Sequence, residues 1–85
     1  MRDTVELTDS CFNVNPINLF ELELVGKPRF SSSGLKGKLF SIIDKNSNTE
    51  KYYFKYNAIT PQNAPGQHLA LYFEDFVVGG GKIVF

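Results

Sequence analysis

The sequence predicts an all-β fold, namely a small five-stranded OB-like barrel with a protruding basic hairpin. Apolar and polar residues alternate with period two over Asn18–Val25 and Glu50–Asn57, which is the pattern of half-buried strands. Aromatic residues make up 14% of the chain, and aromatic and β-branched residues favour strands. Turn-forming residues divide the chain at short intervals, and its 85 residues predict a single domain, 1–85.

The first third of the chain predicts two strands separated by a turn. Apolar and polar residues alternate over Thr4–Asp9, so this segment is the first predicted strand. Ser10–Pro16 is rich in turn formers, and a residue before proline disfavours helix. Asn18–Val25 is the clearest predicted strand, because its apolar residues alternate with Glu21 and Glu23. A helix beginning at Asn15-Pro16 is the alternative interpretation.

The middle of the chain predicts an antiparallel hairpin. Lys36–Asp44 and Glu50–Asn57 are its strands, and Lys45–Thr49 is a turn by composition. On the first strand, Lys38 shares a face with Phe40, and Leu39 lies on the opposite face. Two faces are also predicted for the second strand, one with Tyr52, Phe54 and Tyr56 and the other with Tyr53, Lys55 and Asn57.

The last third predicts a loop and two strands. Ala58–Gln67 contains two prolines and a glycine and is a predicted loop. His68–Val78 fits both a strand and a helical stripe, and its aromatic and β-branched content favours the strand. Gly79–Gly81 is a predicted turn before a closing strand, Lys82–Phe85. We expect core positions for four aromatic residues: Tyr52, Phe54, Phe73 and Phe76.

Signals for catalysis and for metal binding are weak. His68 is the single histidine and has no serine or cysteine beside it in a known nucleophile motif. One histidine and one cysteine, Cys11, are too few for a zinc site and exclude an internal disulfide. We therefore expect no enzyme activity, no metal and no cofactor. The chain has no apolar run that would span a bilayer, which predicts a cytoplasmic protein without membrane contact.

The formal net charge is zero, but the charges are unevenly distributed. Residues 27–55 hold seven of the nine lysines and arginines and two of the nine acidic residues. Cations that follow a nucleic-acid backbone, combined with aromatic rings on which bases stack, are typical of single-strand binders. The predicted nucleic-acid contacts are therefore Lys27, Arg29, Phe30, Lys36, Lys38, Phe40, Tyr53 and Lys55.

Several spaced features resemble the single-stranded-DNA-binding proteins of filamentous bacteriophages. Gly26-Lys27-Pro28 stands where the DNA-binding hairpin of that family turns back, and Phe40–Asp44 is similar to its next hairpin. Ala64-Pro65-Gly66 and the segment Phe76–Gly79 complete the similarity. The hairpin here has an extra serine run, Ser31–Ser33. Two stacking positions also differ from the family, because Ile42 replaces a tyrosine and glycines replace an aromatic residue.

The resemblance implies a five-stranded OB-type fold, a homodimer and cooperative coating of single-stranded DNA during phage replication. Lys27 then matches the lysine beside the DNA, and Arg29 or Phe30 takes the place of the aromatic residue that follows it. Such a protein would act in the cytoplasm of the host cell. The rival prediction is a small β-rich protein-binding module or inhibitor of phage or mobile-element origin, which would dock through the same hairpin.

Overall fold

Six strands form a closed antiparallel barrel in a computed structural model that describes residues 2–28, 34–60 and 66–84. The strands are β1 (Arg2–Phe12), β2 (Leu24–Lys27), β3 (Leu35–Asp44), β4 (Thr49–Thr60), β5 (His68–Phe73) and β6 (Phe76–Val84). One short 3₁₀ helix, Pro16–Leu19, lies between β1 and β2. The all-β prediction is confirmed, and the predicted number of five strands is wrong.

The strand order around the barrel is β1-β4-β3-β2-β5-β6, and β6 pairs with β1 to close it. Three hairpins, β2–β3, β3–β4 and β5–β6, supply half of the pairings. Because the described sheet is closed, each of its strands pairs on both sides. The pairing is partial along β3, because β2 pairs with Leu35–Gly37 and the segment Lys38–Asp44 pairs with β4 alone.

The C-terminal third differs most from the predicted strand pattern. His68–Val78 is split by a turn at Glu74 and Asp75, where Glu74 has φ 54°. The predicted turn at Gly79–Gly81 is wrong, because these glycines continue β6. A Cβ at Gly80 would lie 2.4 Å from the backbone oxygen of Leu69, so glycine serves close strand approach here.

The segment predicted as the clearest strand, Asn18–Val25, is also wrong over most of its length. The Asn15 side chain accepts a hydrogen bond of 3.1 Å from the Ile17 backbone N–H, and Pro16 occupies the first turn of the 3₁₀ helix. Leu19 is buried by this helix, and strand geometry begins only at Leu24. The alternative of a helix from Asn15-Pro16 was closer to the structure.

Strands β3 and β4 confirm the predicted alternation of faces. Leu39 and Phe54 point inwards as a directly opposed pair, and Val5 of β1 lies opposite Phe54 on its other side. Eleven buried apolar residues form the core of the described part: Val5, Leu7, Leu19, Leu24, Leu39, Phe54, Tyr56, Leu69, Leu71, Val78 and Ile83. Phe54 is a core residue as predicted, with no exposed surface.

The two ends of the barrel differ in character. The end where β1 and β3 finish carries large exposed apolar side chains, namely Val14, Ile17, Ile42, Ile43, Phe76 and Val77. Phe76 is 67% exposed beside the β5–β6 turn, so its predicted core position is wrong. β2 ends and β3 begins at the opposite end, and the predicted serine tip of the basic hairpin, Ser31–Ser33, lies outside the described residues.

Phe54→Ala should lower the free energy of unfolding by about 3–5 kcal/mol, because it leaves a cavity at the centre of the core. The matched change Phe76→Ala removes the same atoms from an exposed ring and should alter that free energy by less than about 0.5 kcal/mol. Urea denaturation of both variants measures the difference. Equal losses would contradict the assignment of these two positions.

Candidate nucleic-acid interface

The predicted contact residues that the structure describes fall in two separate places. Lys38, Phe40, Tyr53 and Lys55 lie together on the outer side of β3 and β4, and we call this surface the β3–β4 face. Lys36 lies beside it on β3, whereas Lys27 is on β2 and contacts β5. Arg29 and Phe30 lie outside the described residues.

The register of the β3–β4 hairpin assembles the face from two cross-strand pairs. Lys38 is directly opposite Lys55, and Phe40 is directly opposite Tyr53. The Phe40 and Tyr53 rings stack, with centroids 5.2 Å apart and planes inclined by 14°. Because strand residues alternate between faces, the buried pair Leu39 and Phe54 holds both outer pairs in position.

The lysine pair concentrates positive charge. Like charges directly opposite each other on a sheet destabilise it. Within residues 2–28, 34–60 and 66–84, neither the Lys38 nor the Lys55 ammonium forms an ion pair with a carboxylate. The two lysines border a hollow of about 410 Å³ together with Tyr56 and Asn57. An anion placed here would relieve their repulsion.

Neighbouring contacts set the limits of the face. The Tyr53 hydroxyl lies 3.4 Å from a carboxylate oxygen of Glu6 on β1, towards which it donates. On the other side, the Lys36 ammonium is 3.8 Å from Glu23, and the Asn57 amide donates a 3.0 Å hydrogen bond to the same carboxylate. Lys36 is therefore already paired with an acid, although exposure keeps such a pair weak.

Lys27 lies away from this face, near the end of β2. Its ammonium is 4.7 Å from the ring centroid of Tyr72, which is a cation–π contact. Sequence reasoning missed Tyr72, because it falls in His68–Val78, where strand and helix patterns overlap. The signal that could have identified it is the outward alternation of His68, Ala70 and Tyr72.

The far end of the β3–β4 hairpin is held by acidic side chains. Glu50 accepts hydrogen bonds of 2.8 Å from Ser41 and from the Tyr52 hydroxyl, and the second bond raises the pKa of Tyr52 above its ordinary value. The backbone N–H of Asn46 donates to Asp44 and lowers the pKa of that carboxyl. These contacts order the turn at this end of the hairpin.

Groups suited to metal or nucleophilic chemistry are dispersed over the described part of the chain. No cluster of three or more His, Cys, Asp and Glu side chains occurs there. Cys11 is a free, exposed thiol, and His68 is exposed on β5. In the same ranges, no helix has the length and apolar character needed to cross a membrane.

Comparison with known proteins found relatives that are much longer than this chain. Two curated relatives are named as tRNA-modifying enzymes. The chain is 52% identical over 81 residues to a protein of Fusobacterium nucleatum named tRNA-specific 2-thiouridylase MnmA 2. The aligned segment covers 95% of this chain and 22% of that protein. It is 38% identical over 63 residues to tRNA-specific 2-thiouridylase MnmA of Caldicellulosiruptor saccharolyticus, covering 74% of this chain and 16% of that protein.

The chain therefore spans about a fifth of the length of these relatives. No protein-family model matches it. No solved structure matches it either. The inference of function consequently depends on the two relatives and on the geometry of the surface.

These relatives overturn the functional predictions made from the sequence. The resemblance to phage single-stranded-DNA-binding proteins is wrong, because proteins similar over most of the chain carry the name of a tRNA thiouridylase. DNA coating in phage replication and single-stranded DNA as the partner fall with it, and the rival inhibitor gains no support. The expectation of no enzyme activity is also contradicted, since both relatives are named as enzymes, although this chain matches only about a fifth of their length.

Lys38→Glu should stabilise the barrel, because it converts a repulsive cross-strand pair with Lys55 into an attractive one. The expected gain in the free energy of unfolding is about 0.2–1 kcal/mol at low salt. It should shrink at about 1 M salt, where the Debye length is about 3 Å. Urea denaturation at two salt concentrations measures both effects.

Lys45→Glu is the control for this change, because it alters the charge equally at an exposed turn position. The same gain in both variants would show that net charge, and not the Lys38–Lys55 pair, determines the effect.

Proposed function

We propose that this chain is a tRNA-binding β-barrel domain that acts in tRNA 2-thiolation, and that the β3–β4 face contacts the tRNA. One observation supports this most directly. The Lys38–Lys55 pair, which has no carboxylate partner among the described residues, lies beside the stacked Phe40–Tyr53 pair. We take tRNA as the nucleic acid because the names of both relatives specify it.

The two pairs suit the two chemical parts of an RNA strand. A phosphate between the Lys38 and Lys55 ammonium groups would neutralise their repulsion and accept charge-assisted hydrogen bonds. RNA recognition commonly uses unpaired bases that stack on aromatic side chains. The Phe40–Tyr53 stack is partly exposed and is the next outward-facing cross-strand pair after the two lysines. A base next to the bound phosphate could therefore extend the stack.

We also propose that the barrel is OB-like in its mode of binding. The interior of the described barrel is filled by the buried apolar core, which leaves its outer surface for a polymer. OB-folds bind oligonucleotides across the outer face of adjacent strands and the loops beside it. The β3–β4 face is such a surface.

This barrel thus supplies contact with the tRNA substrate. About four fifths of each relative lies outside the matched segment, so the complete thiolation reaction is proposed for the larger assembly to which the barrel belongs. The cytoplasmic location predicted from the sequence forms part of the same proposal.

Binding of an unmodified tRNA transcript, followed by fluorescence anisotropy over a range of salt concentrations, tests this function. The parent chain should bind, and its affinity should fall steeply with salt through counterion release. Lys38→Ala and Lys55→Ala should each weaken binding and reduce the salt slope by about 0.7–0.9, the value for one lost phosphate contact. Phe40→Ala should weaken binding by about 1–3 kcal/mol with little change in slope.

Lys45→Ala is the matched control, because it removes one lysine from the turn at the far end of the same hairpin. Circular dichroism and a melting curve for each variant separate loss of binding from loss of fold. If the parent chain does not bind the transcript at low salt, or if Lys38→Ala and Lys55→Ala behave like Lys45→Ala, the proposed function is wrong.

A further inference from the structure

The wall of the barrel formed by β5, β6 and the end of β1 contains a second depression, with a volume of about 470 Å³. We call it the β5–β6 hollow. Its centre is the cross-strand pair Ala70 and Gly80, two adjacent outward positions with almost no side chain. The volume lies within the range of about 300–1,000 Å³ that is typical of small-molecule sites.

The small residues at the floor follow from how closely the strands approach. A Cβ at Gly80 would lie 2.4 Å from the Leu69 backbone oxygen, and one at Gly81 would lie 3.0 Å from the Thr8 backbone oxygen. β1 also shifts register between Thr8 and Cys11, with Asp9 at φ 49°. The floor is therefore a flat peptide surface, because a side chain at Gly80 or Gly81 would displace the neighbouring strands.

The rim of the hollow carries positive charge on two sides. Lys27 on β2 is level with Ala70, and Lys82 on β6 is opposite His68. The cation–π contact with Tyr72 holds the Lys27 ammonium at the rim. β2 and β6 are separated by β5, so the two lysines stand about 10 Å apart across the strands, given a strand spacing of about 4.8 Å.

The β1 side of the hollow carries hydrogen-bonding groups. Asp9 and Asn13 both line it, and Asp9 is the one carboxylate among its described lining residues. The Asn13 side-chain amide donates a hydrogen bond of 2.9 Å to the Val77 backbone oxygen, which fixes the Asn13 side chain. The side-chain oxygen of Asn13 is left as an acceptor. The hollow thus combines a flat floor, two flanking cations and two acceptor side chains on one side.

We propose that the β5–β6 hollow binds one unpaired nucleotide of the tRNA, an inference that rests on the proposed function. The base lies on the Ala70–Gly80 floor with its polar edge towards Asp9 and Asn13. Lys27 and Lys82 contact the phosphates on either side of that nucleotide. An extruded nucleotide fits these features, because RNA-binding proteins commonly recognise bases that are splayed out of unpaired segments.

Ala70→Phe tests the proposal, because it fills the hollow without changing the charge. Binding of a single-stranded oligouridylate of about ten nucleotides and of the unmodified tRNA transcript should weaken by about tenfold, because the added ring occupies the place of the base, and this equals a loss of about 1.4 kcal/mol. The salt slope should stay unchanged. Lys82→Ala should instead reduce the slope for the oligouridylate by about 0.7.

Ala58→Phe is the matched control, because it adds the same ring at an exposed position on β4. A melting curve for each variant establishes that it is folded. If Ala70→Phe does not fold, Lys82→Glu replaces it and should weaken binding of the oligouridylate more strongly than Lys45→Glu does. Equal binding by Ala70→Phe and Ala58→Phe, or by the two glutamate variants, would overturn the assignment.

A titration of the parent chain with uridine 5′-monophosphate, followed by backbone amide NMR, separates this inference from the proposed function. Shifts confined to the amides around Ala70, Gly80 and Lys82 would support the hollow even if variants of the β3–β4 face bound tRNA normally. Shifts only around Lys38 and Lys55, or none at all, would overturn the hollow and leave the β3–β4 face to be judged by its own variants.

Discussion

The ring of Phe54 is the constraint on which the rest of this barrel depends. It is fully buried between Val5 and Leu39 on the neighbouring strands and meets Tyr56 edge-on, with ring centroids 5.0 Å apart. A Cβ at Gly26 would lie 2.9 Å from this ring, and one at Gly37 would lie 2.8 Å from it. The ring thus requires glycine on two strands, and by period-two alternation it directs Tyr53 and Lys55 to the outside.

The sequence predicted this part of the fold because two long strands show their period clearly. Lys36–Asp44 and Glu50–Asn57 match β3 and β4 closely, and the predicted faces of Lys38 and Lys55 are correct. What the sequence lacked was register, because only a fixed pairing places Lys38 opposite Lys55 and Phe40 opposite Tyr53. Lys27 and Lys36, which looked like members of the same site, have other partners, Tyr72 and Glu23.

The predictions that were wrong depended on interactions that are not local. Asn18–Val25 alternates like a strand, but the Asn15 cap and the burial of Leu19 form a 3₁₀ turn instead. Gly79–Gly81 looked like a turn, but a Cβ at these glycines would come too close to Phe12, Leu69 and Leu7. The phage resemblance used a basic hairpin, a Gly-Lys-Pro turn and alternating strands. One fold can host many unrelated functions, so these features indicate architecture better than partner.

Closure of the sheet has a consequence for how this surface can evolve. Each described strand pairs with two neighbours, so much of its backbone is hydrogen-bonded within the barrel, although the β3 segment Lys38–Asp44 pairs with β4 alone. Where the backbone is paired on both sides, recognition depends on the outward side chains, and these contribute little to the core. Single replacements at positions such as Lys38, Phe40 or Ala70 can therefore change what the barrel binds while the fold persists. The specificity of the barrel wall can thus change gradually, one residue at a time.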